Sequence, residues 1–345
     1  KIAENSDWDI DKLNIELETL KELNFDFSDL GFDFDVESLD NDKYGEASED
    51  QKGSMNQKFG VSPFSVFDSK SANWINRKNY WNSKGIISSN GRDIKMTSSS
   101  DKINKGSKDG GSIFDPVICE IAYQWFCPPC GNIIDPFSGG SVRGLMASFL
   151  GKNYTGIDIR KEQIDANKLQ ISGLDKISPT WLCGDSLNIK ELVCHDYKAD
   201  LLFSCPPYAD LEVYSSNEND LSNMEYINFI KVYSKIIRNC YDLLNDNTFA
   251  FWVVGEVRDK SGNYYNFIGD TIKSFIDAGF TYYNEIIYLS SIGSLPLRAG
   301  KYMRSSRKIG KAHQNVLIFL KGDAKEATAR CGEIRVDLIE NIDIL

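Results

Sequence analysis

The sequence predicts an α/β fold in which a seven-stranded, doubly wound sheet carries helices on both faces. Three observations support this prediction. From Asp115 onward, apolar runs alternate with helix-length runs, seven of the apolar runs have the length of strands, and these seven are apolar nearly throughout. Continuous apolar strands are typical of a parallel sheet covered by helices on both sides. Ligands of such sheets bind beyond the carboxyl ends of the strands, so the loops after the strands are the candidates for function.

The predicted elements follow one another from Asp115. This residue suits the N-cap of a first helix, with Pro116 at the first helical position. Strands are predicted at residues 131–136, 154–158, 180–184, 200–205, 248–255, 282–289 and 314–320. Further helices are predicted at residues 141–150, 161–171, 225–244 and 266–278.

Charge is distributed unevenly along the 345 residues. The net charge is −11, but residues 1–50 alone hold 17 acidic and 4 basic side chains. Between Ile286 and Gly322 the sequence contains no acid and seven bases. A basic stretch in an otherwise acidic chain favours a polyanionic partner over a merely solvated loop.

The sequence contains no run of eighteen apolar residues and no signal-peptide pattern, which predicts a cytoplasmic protein without a membrane partner. Its eight cysteines are scattered, and several lie in apolar runs, as expected of buried free thiols in a reducing compartment. Cys127-Pro-Pro-Cys130 is the only C-x-x-C motif, and neither histidine comes with a second ligand nearby. No metal site is therefore predicted.

The first strand runs into "DPFSGGSVRG", residues 135–144. Gly139 and Gly140 allow the backbone to approach a ligand closely, although a tight turn alone would use the same glycines. Asp135 opens this loop, and no lysine stands where a phosphate-binding loop would have one. The loop therefore favours a cationic or hydroxyl-rich ligand over a polyphosphate.

Two more acids follow the next two strands. Asp158 ends the second strand, where an acid can bind ribose hydroxyls. Asp185 follows the third strand and is suited to accept a hydrogen bond from the amine of adenine. Each of these acids also suits a helix N-cap. Together with Asp135 and the glycine turn, they indicate a nucleoside-bearing ligand.

The fourth strand ends in "LLFSCPPYAD", residues 201–210. Pro206 and Pro207 cannot donate to a strand ladder, so the strand must stop there. The result is a rigid corner without hydrogen-bond donors, where a flat group can lie and where Tyr208 can stack on it.

In this order, "DPFSGG", "IDI", "GDS" and "CPPY" resemble the S-adenosylmethionine-dependent amino-methyltransferases that act on DNA bases, whose hallmark is Asp, Asn or Ser followed by Pro-Pro and an aromatic residue. More narrowly, residues 1–322 resemble phage and prophage DNA methylases with a ParB-like domain upstream, through stretches such as "FGVSPFSVFD", "FWVVGEVRDK" and "GKAHQNVLIFLKG". The resemblance implies a Rossmann-like methyltransferase sheet, S-adenosylmethionine as cofactor, and methylation of a flipped base of double-stranded DNA. Cysteine in place of Asp, Asn or Ser removes the family's clue to the target base, so the base stays open, with a slight preference for adenine N6 over cytosine N4.

The resemblance also implies which residues form the site. The cofactor pocket is expected from Phe114, Asp115, Asp135, Phe137, Gly139, Gly140, Asp158 and Asp185. The catalytic corner is expected from Ser204, Cys205, Pro206, Pro207 and Tyr208. Contacts with DNA are expected from the basic stretch, through Arg298, Lys301, Arg304, Arg307, Lys308 and Lys311.

Cys205 departs from the family pattern, because a thiol is a weak hydrogen-bond acceptor. In one interpretation it is tolerated, and Ser204 or backbone carbonyls accept from the target amine. In a second, its thiolate attacks C6 of a pyrimidine, as in carbon-5 methyltransferases, with Glu256 as the supporting acid. In a third, the protein binds DNA without methylating it. Glu256 and Arg258 also suit a simple salt bridge at the end of a strand.

The resemblance divides the chain into four parts. Residues 1–45 are expected to be an acidic helical tail, the remnant of an upstream ParB-like part, and residues 46–113 a basic and aromatic extension. Within this extension, a helix in the range 67–85 either packs on the sheet or reads DNA. Residues 114–322 are the expected methyltransferase domain, and 323–345 a C-terminal extension. A homodimer and a restriction partner stay open.

Overall fold

A computed structural model describes residues 55–86, 114–171, 177–207, 221–290 and 295–336. The predicted acidic tail at 1–45 and Tyr208 of the predicted corner lie outside these residues. The chain divides into two compact units, residues 1–58 and 59–345. Of the first unit only Met55–Lys58 is described, as part of a short helix, so the features below belong to the second unit.

The described residues form eight strands and ten α-helices. The strands are β1 (Val66–Asp68), β2 (Asn132–Asp135), β3 (Asn153–Asp158), β4 (Thr180–Cys183), β5 (Ala199–Ser204), β6 (Leu244–Val254), β7 (Thr281–Leu289) and β8 (His313–Lys321). The helices are α1 (Met55–Phe59), α2 (Ala72–Ser83), α3 (Pro116–Phe126), α4 (Val142–Phe149), α5 (Lys161–Gln170), α6 (Ile189–Leu192), α7 (Tyr226–Leu243), α8 (Phe267–Asp277), α9 (Leu295–Ser306) and α10 (Ala324–Cys331).

All eight strands lie in one sheet, in the order β1-β7-β8-β6-β5-β2-β3-β4. Neighbouring strands are parallel except at β8, which runs antiparallel to both β6 and β7. The predicted seven-stranded, doubly wound sheet is confirmed in β2 to β8. Two corrections apply: β8 is reversed, and β1 adds an eighth strand at the edge beside β7. At three residues, β1 is too short to give a periodic signal in the sequence.

The helices cover both faces of the sheet, as predicted. Side chains of β5 alternate between two apolar layers, because successive residues of a strand point to opposite faces. Phe203 packs in the layer that also holds α3 and α4, whereas Leu202 packs in the layer that holds α7 and α8. The long α7 turns its apolar side toward this second layer, with Phe229, Tyr233 and Cys240 buried at helical spacing.

The strand order reverses between β2 and β5. From β2 the chain proceeds outward through β3 to β4, and from β5 it proceeds the other way through β6 to β8. Crevices form at such reversal points, outside the carboxyl ends of the two strands. The loop after β2 and the corner after β5 therefore border the same crevice.

Helix α2 settles one alternative left open by the sequence. Trp74, Arg77 and Trp81 are buried, and the Arg77 guanidinium forms an ion pair with Glu120 of α3. Trp81 Nε1 donates to the same carboxylate at 2.9 Å. These side chains pack against the domain rather than facing outward, so α2 does not present them to DNA.

The structure adds two helices at the C-terminal end. Part of the basic stretch forms α9, which buries none of its residues. Within the expected C-terminal extension, α10 begins after Asp323, whose carboxylate accepts from Lys325 N and Glu326 N at 2.8 and 3.0 Å. Across the described ranges, no helix has the length and apolar character needed to cross a membrane.

Candidate active site

Asp135, at the end of β2, is the centre of a buried polar network. Its Oδ1 accepts from Phe137 N at 3.0 Å and from the Ser204 hydroxyl at 2.5 Å, and its Oδ2 accepts from the Tyr154 hydroxyl at 2.7 Å. The side chain of Asp135 is fully buried. Burial and the nearby Asp135 carboxylate raise the pKa of Tyr154, so its phenol stays protonated and donates. The network ties β2, β3 and β5 together at the crevice.

Arg143 of α4 completes this network and balances its charge. Its Nε lies 3.0 Å from Asp135 Oδ2, an ion pair without hydrogen-bond geometry, and its Nη2 donates to Phe137 O. Burial alone would lower the pKa of Arg143, but Asp135 raises it, so the guanidinium stays charged. Its plane lies over the Phe114 ring, 5.0 Å from the centroid.

Five buried side-chain atoms lack hydrogen-bond partners in the part of the chain that the structure describes: the Ser138 hydroxyl, Nε and Nη1 of Arg143, Nε2 of Gln170 and Nε1 of Trp181. The Ser138 hydroxyl and the Arg143 Nη1 are the two that concern the glycine loop here. Buried polar groups are paired in most native structures, so an orphan needs an explanation, and a bound ligand is one. Both orphans border residues 137–140, which the sequence predicts to face a cofactor.

The glycine loop is held in place by its neighbours. Gly139 has a positive φ of 49° and donates its N–H to Asp158 Oδ2 at 3.0 Å. Its carbonyl accepts from Asn167 Nδ2 of α5 at 2.8 Å. These two hydrogen bonds hold the loop, and the positive φ at Gly139 is a conformation that glycine adopts readily.

Asp158 ends β3 next to this loop. Besides Gly139 N, it accepts from Arg160 N at 2.8 Å, and its side chain is 12% exposed. Burial raises the pKa of Asp158, although Arg160 and the two backbone donors lower it. Asp158 ends the strand next to β2. Its role in binding ribose stays a prediction.

Asp185 follows β4 and serves as an N-cap. Its Oδ1 accepts from Leu187 N at 2.9 Å at the start of a short 3-10 helix, Ser186–Asn188. The next residue, Ser186, donates its hydroxyl to Pro136 O of the glycine loop. The loop after β4 is thus linked to the loop after β2, and Asp185 is half-buried. The capping interpretation and the cofactor interpretation both stand.

Of the two residues predicted before the first strand, Phe114 lies at the site and Asp115 is used elsewhere. Phe114 contacts Phe203 edge-on at 5.7 Å and lies under Arg143. Asp115 caps α3 and also accepts from Trp74 Nε1, the Lys78 ammonium and the Tyr288 hydroxyl at 3.3, 2.9 and 3.0 Å. Because its carboxylate oxygens accept these hydrogen bonds, Asp115 holds α2, α3 and β7 together. This corrects the expectation that its carboxylate is free to bind the cofactor.

Phe137 lies on the opposite layer, where its ring is half-buried. It stacks near Tyr233 of α7 at 6.4 Å and contacts Trp252 of β6 edge-on at 6.1 Å. Trp252 Nε1 in turn donates to the Tyr233 hydroxyl at 2.7 Å. These contacts fix the loop after β2 against α7 and β6.

The corner after β5 is built as the sequence predicts, up to the last described residue. β5 ends at Ser204, Cys205 and Pro207 are half-buried, and Pro206 is buried. Ser204 is fully buried, and its hydroxyl donates to Asp135. This contact lets Ser204 position Asp135. The expectation that Ser204 accepts from a target base stays a prediction.

Glu256, the candidate acid of a carbon-5 mechanism, is bound to the backbone. Its Oε1 accepts from Phe267 N, the first residue of α8, at 2.7 Å and from Val257 N at 3.2 Å. Arg258 forms no ion pair with Glu256; its Nη1 donates to Gly262 O at 2.7 Å and its guanidinium lies over the Tyr264 ring at 3.7 Å. Glu256 therefore caps α8 and does not form a salt bridge with Arg258.

The basic stretch lies at the same edge of the sheet as the crevice. β7 is parallel to β2 and β5 through the intervening strands, so its last residue, Leu289, lies at their carboxyl edge, opposite His313 at the start of β8. Four of the predicted DNA-contacting side chains are exposed: Arg298, Lys301, Arg304 and Arg307. Lys308 is half-buried.

Lys311 is directed inward. Its ammonium donates to Asn315 Oδ1 at 3.0 Å, and burial lowers its pKa while Glu256 and Glu285 raise it. A charge engaged in this way is poorly placed for a phosphate, which corrects the expectation for this member of the set.

The sequence interpretation missed Arg143, Tyr154 and Ser138. The signal for Arg143 was present, since a basic residue follows the glycines in "GGSVRG". The sequence contains no signal for Tyr154. A tyrosine within a strand does not reveal that its hydroxyl donates to Asp135, 19 positions earlier. For the ranges that the structure covers, no group of three or more metal-binding side chains is found.

Residues 199–341, less than half of the chain, match a family model described as DNA methylase. The matched segment begins at β5 and includes the double-proline corner. A search of curated proteins gave no match.

Several solved structures align with part of this chain at low sequence identity. The crystal structure of TrmN from Thermus thermophilus is 13% identical, with a TM-score of 0.40 over 60% of this chain and 49% of that chain. A methyltransferase from Pyrococcus furiosus is 18% identical, with a TM-score of 0.40 over 62% and 86%. Magnesium protoporphyrin IX methyltransferase (ChlM) from Synechocystis PCC 6803, with bound SAM, is 13% identical, with a TM-score of 0.40 over 71% and 95%.

Proposed function

We propose that this protein transfers the methyl group of S-adenosylmethionine to an exocyclic amine of a flipped base in double-stranded DNA, with adenine N6 favoured over cytosine N4. One observation carries the proposal: the strand order reverses between the acid-glycine loop after β2 and the double-proline corner after β5. A donor pocket and a base pocket then share one crevice, and the corner lies within the segment that matches the DNA methylase model.

The residues around the crevice suit the donor. The orphaned Ser138 hydroxyl and Arg143 Nη1, beside the glycine loop, are where the polar end of such a ligand would be held. Asp158 supplies an acceptor for ribose hydroxyls one strand away. When bound, the cofactor supplies a sulfonium methyl, which bonds to the target nitrogen as the carbon–sulfur bond breaks and the nitrogen releases one proton to solvent.

The corner performs the other half of the reaction. An exocyclic base amine is a weak nucleophile because its lone pair is delocalised into the ring, so the protein must orient it. The carbonyl of Pro206, fixed by two consecutive proline rings, is suited to accept one amine hydrogen and aim the lone pair at the methyl. The base must leave the duplex to reach this point, and Tyr208 would stack on it.

Cys205 takes no chemical step in this proposal. Its half-buried thiol occupies the position before the prolines, where backbone carbonyls do the accepting. The structure weakens the carbon-5 alternative, because Glu256 is engaged at the N-terminus of α8 and would have to release two backbone N–H groups to serve as its acid.

The proposal is tested by incubating the protein with isotope-labelled S-adenosylmethionine and phage DNA, then identifying modified nucleosides by mass spectrometry. Labelled N6-methyladenine is expected. Label on carbon 5 of a pyrimidine, or labelling of RNA but not of duplex DNA, would contradict the proposal. A DNA-binding protein with a vestigial pocket would show no label and no calorimetric binding of the cofactor.

Replacing Cys205 by Ser separates the two chemistries. We expect the variant to keep methyl transfer within about tenfold of the wild-type rate, because no bond to sulfur is made. Cys183→Ser, which changes an exposed thiol at the last residue of β4, is the matched control. Complete loss of transfer in Cys205→Ser alone, with cofactor binding intact, would support a covalent thiol instead.

A further inference from the structure

The segment between β6 and α8, residues 256–266, forms a small hairpin that the sequence did not predict. Arg258 and Tyr264 pair as an antiparallel bridge. At the tip, Asp259 N donates to Asn263 O at 2.8 Å, and Gly262 N donates to Asp259 O at 2.9 Å. Gly262 has a φ of 92°, in the left-handed region that favours glycine. We call residues 256–266 the β6–α8 hairpin.

The base of this hairpin is fixed to the domain from both sides. Glu256 holds the N-terminus of α8 through Phe267 N. Tyr265 N donates to Val257 O at 3.0 Å, and the Tyr265 ring stacks on Tyr226 of α7 with centroids 4.2 Å apart. Because the base of the hairpin is held by these contacts, its tip has a fixed orientation, as a recognition element requires.

The tip presents cations and an aromatic ring to solvent. Tyr264 is 47% exposed, and the Arg258 guanidinium covers one face of its ring at 3.7 Å. Lys260 is exposed at the turn. Asp259 is turned back onto Asn263 N at 2.8 Å. In the ranges that the structure describes, neither Arg258 nor Lys260 forms an ion pair, so both charges are available.

The hairpin lies between the double-proline corner and the basic stretch. β6 is the strand between β5 and β8, so the hairpin is about one strand spacing, ~4.8 Å, from the corner and as far from the start of β8. Lys308 extends over the turn: a Cβ added at Gly262 would lie 1.7 Å from its Nζ. The basic stretch therefore contacts the hairpin at Lys308.

We propose that the β6–α8 hairpin is a DNA-contacting element beside the target base, in which Arg258 and Lys260 bind phosphates and the open face of Tyr264 stacks on a base. The inference deepens the proposed function and depends on it. Two facts favour DNA over an acidic protein: no acid lies between Ile286 and Gly322, and a guanidinium-backed ring offers a π-face that suits any base.

The test is equilibrium binding of duplex DNA at several salt concentrations, with cofactor affinity measured on the same samples as a check on folding. Tyr264→Ala should weaken DNA binding by about 5- to 100-fold, while Tyr264→Phe should bind like the wild type, because stacking needs the ring and not the hydroxyl. Arg258→Ala should reduce the slope of log affinity against log salt by about 0.9.

Tyr283→Ala is the matched control, since Tyr283 is 44% exposed but lies near the opposite end of β7. It should bind DNA like the wild type. Lys260→Glu changes only an exposed turn residue and should weaken binding without affecting the fold. Wild-type affinity in both Tyr264→Ala and Lys260→Glu would overturn the inference, as would an equal loss in Tyr283→Ala.

Failure of the inference differs from failure of the proposed function. A wild-type protein that methylates duplex DNA, with unchanged binding in the hairpin variants, would overturn the inference alone. A wild-type protein that leaves DNA unmethylated would overturn the proposed function, whatever the hairpin variants do. Tighter binding of duplex RNA than of duplex DNA by the wild type would overturn the choice of DNA as the partner.

Discussion

The two flanks of the crevice differ in how their charges are satisfied. On the donor flank, formed by β2, β3 and β4, Asp135 is fully buried and bound to Tyr154, Ser204 and Arg143. On the target flank, formed by β6, β8 and β7, the cations of α9 lie on a helix with no buried residue. On the donor flank the Asp135 and Arg143 charges are paired within the chain, and on the target flank the cations are left exposed for a partner.

This difference follows from the size and charge of the expected ligands. A small cofactor must be surrounded, and buried polar groups are stable only when they are paired and held in one arrangement. A polyanion supplies its own counter-charges, so exposed Lys and Arg side chains can stay solvated until it binds. Preorganisation on one flank and open charge on the other are what a reaction between a nucleoside cofactor and DNA requires.

The largest loss of stability is expected from Asp135→Asn, which removes the ion pair between Asp135 and Arg143 on the donor flank. The change leaves Arg143 as an uncompensated buried cation, and removing one partner of a buried ion pair costs about 3–5 kcal/mol. We expect the free energy of unfolding in urea to fall by this amount, together with a loss of cofactor binding.

Ser204→Ala is the control for this prediction, because it removes one hydrogen bond to Asp135 and leaves the ion pair intact. Its expected loss is about 1–2 kcal/mol. Equal losses in the two variants would mean that Asp135 contributes through hydrogen bonds alone and that the Arg143 charge does not depend on it.

A smaller effect is expected from Asp158→Ala, which should weaken cofactor binding by about 10- to 100-fold through the loss of a charged acceptor. Burial raises the pKa of Asp158, and the ionised form is the one that accepts ribose hydroxyls. Affinity for the cofactor in calorimetry should therefore fall as the pH falls through this raised pKa, at a higher pH than for an ordinary aspartate.

The pH dependence of the stability of the free protein has the opposite sign to that of cofactor affinity. Because the folded-state pKa of Asp158 lies above its unfolded value, its ionisation destabilises the free protein, and its contribution improves as the pH falls. In the Asp158→Ala variant the pH dependence of cofactor affinity in this range should disappear. Its persistence would assign the titration to another group.

The strands and loops of both flanks were predictable from the sequence because their signals are local. Each of the seven strands predicted from apolar runs is present within a few residues, and Gly139 and the double proline mark the loops at the reversal point. Local signals of this kind depend on backbone rules that a short segment obeys by itself.

The partners of the polar side chains were not predictable. Asp115 was expected in the cofactor pocket, yet its carboxylate meets Tyr288, 173 positions away. Glu256 was interpreted through its neighbour Arg258, but it caps a helix that begins eleven residues later. Which distant donor reaches a carboxylate depends on tertiary packing, which one sequence does not encode in any local pattern.

Tyr288→Phe tests whether the Asp115 carboxylate has only a structural role or also belongs to the donor flank. The variant removes one donor to Asp115, so the free energy of unfolding should fall by about 1 kcal/mol. The affinity for the cofactor should stay unchanged if Asp115 only joins α2, α3 and β7. A weaker cofactor affinity with unchanged stability would return Asp115 to the pocket, as the sequence predicted.

The smallest effect is expected from Arg304→Ala on the target flank. If this exposed guanidinium binds one phosphate, its loss should lower the slope of log affinity against log salt by about 0.9, equally for all DNA sequences. Between 50 and 200 mM salt, one such contact accounts for only about a 3.5-fold change in affinity. Lys168→Ala on α5 is the matched control, because Lys168 is also exposed but belongs to the donor flank. A change of slope in Lys168→Ala as large as that in Arg304→Ala would mean that DNA does not distinguish the flanks, and the contrast between them would then reflect folding alone.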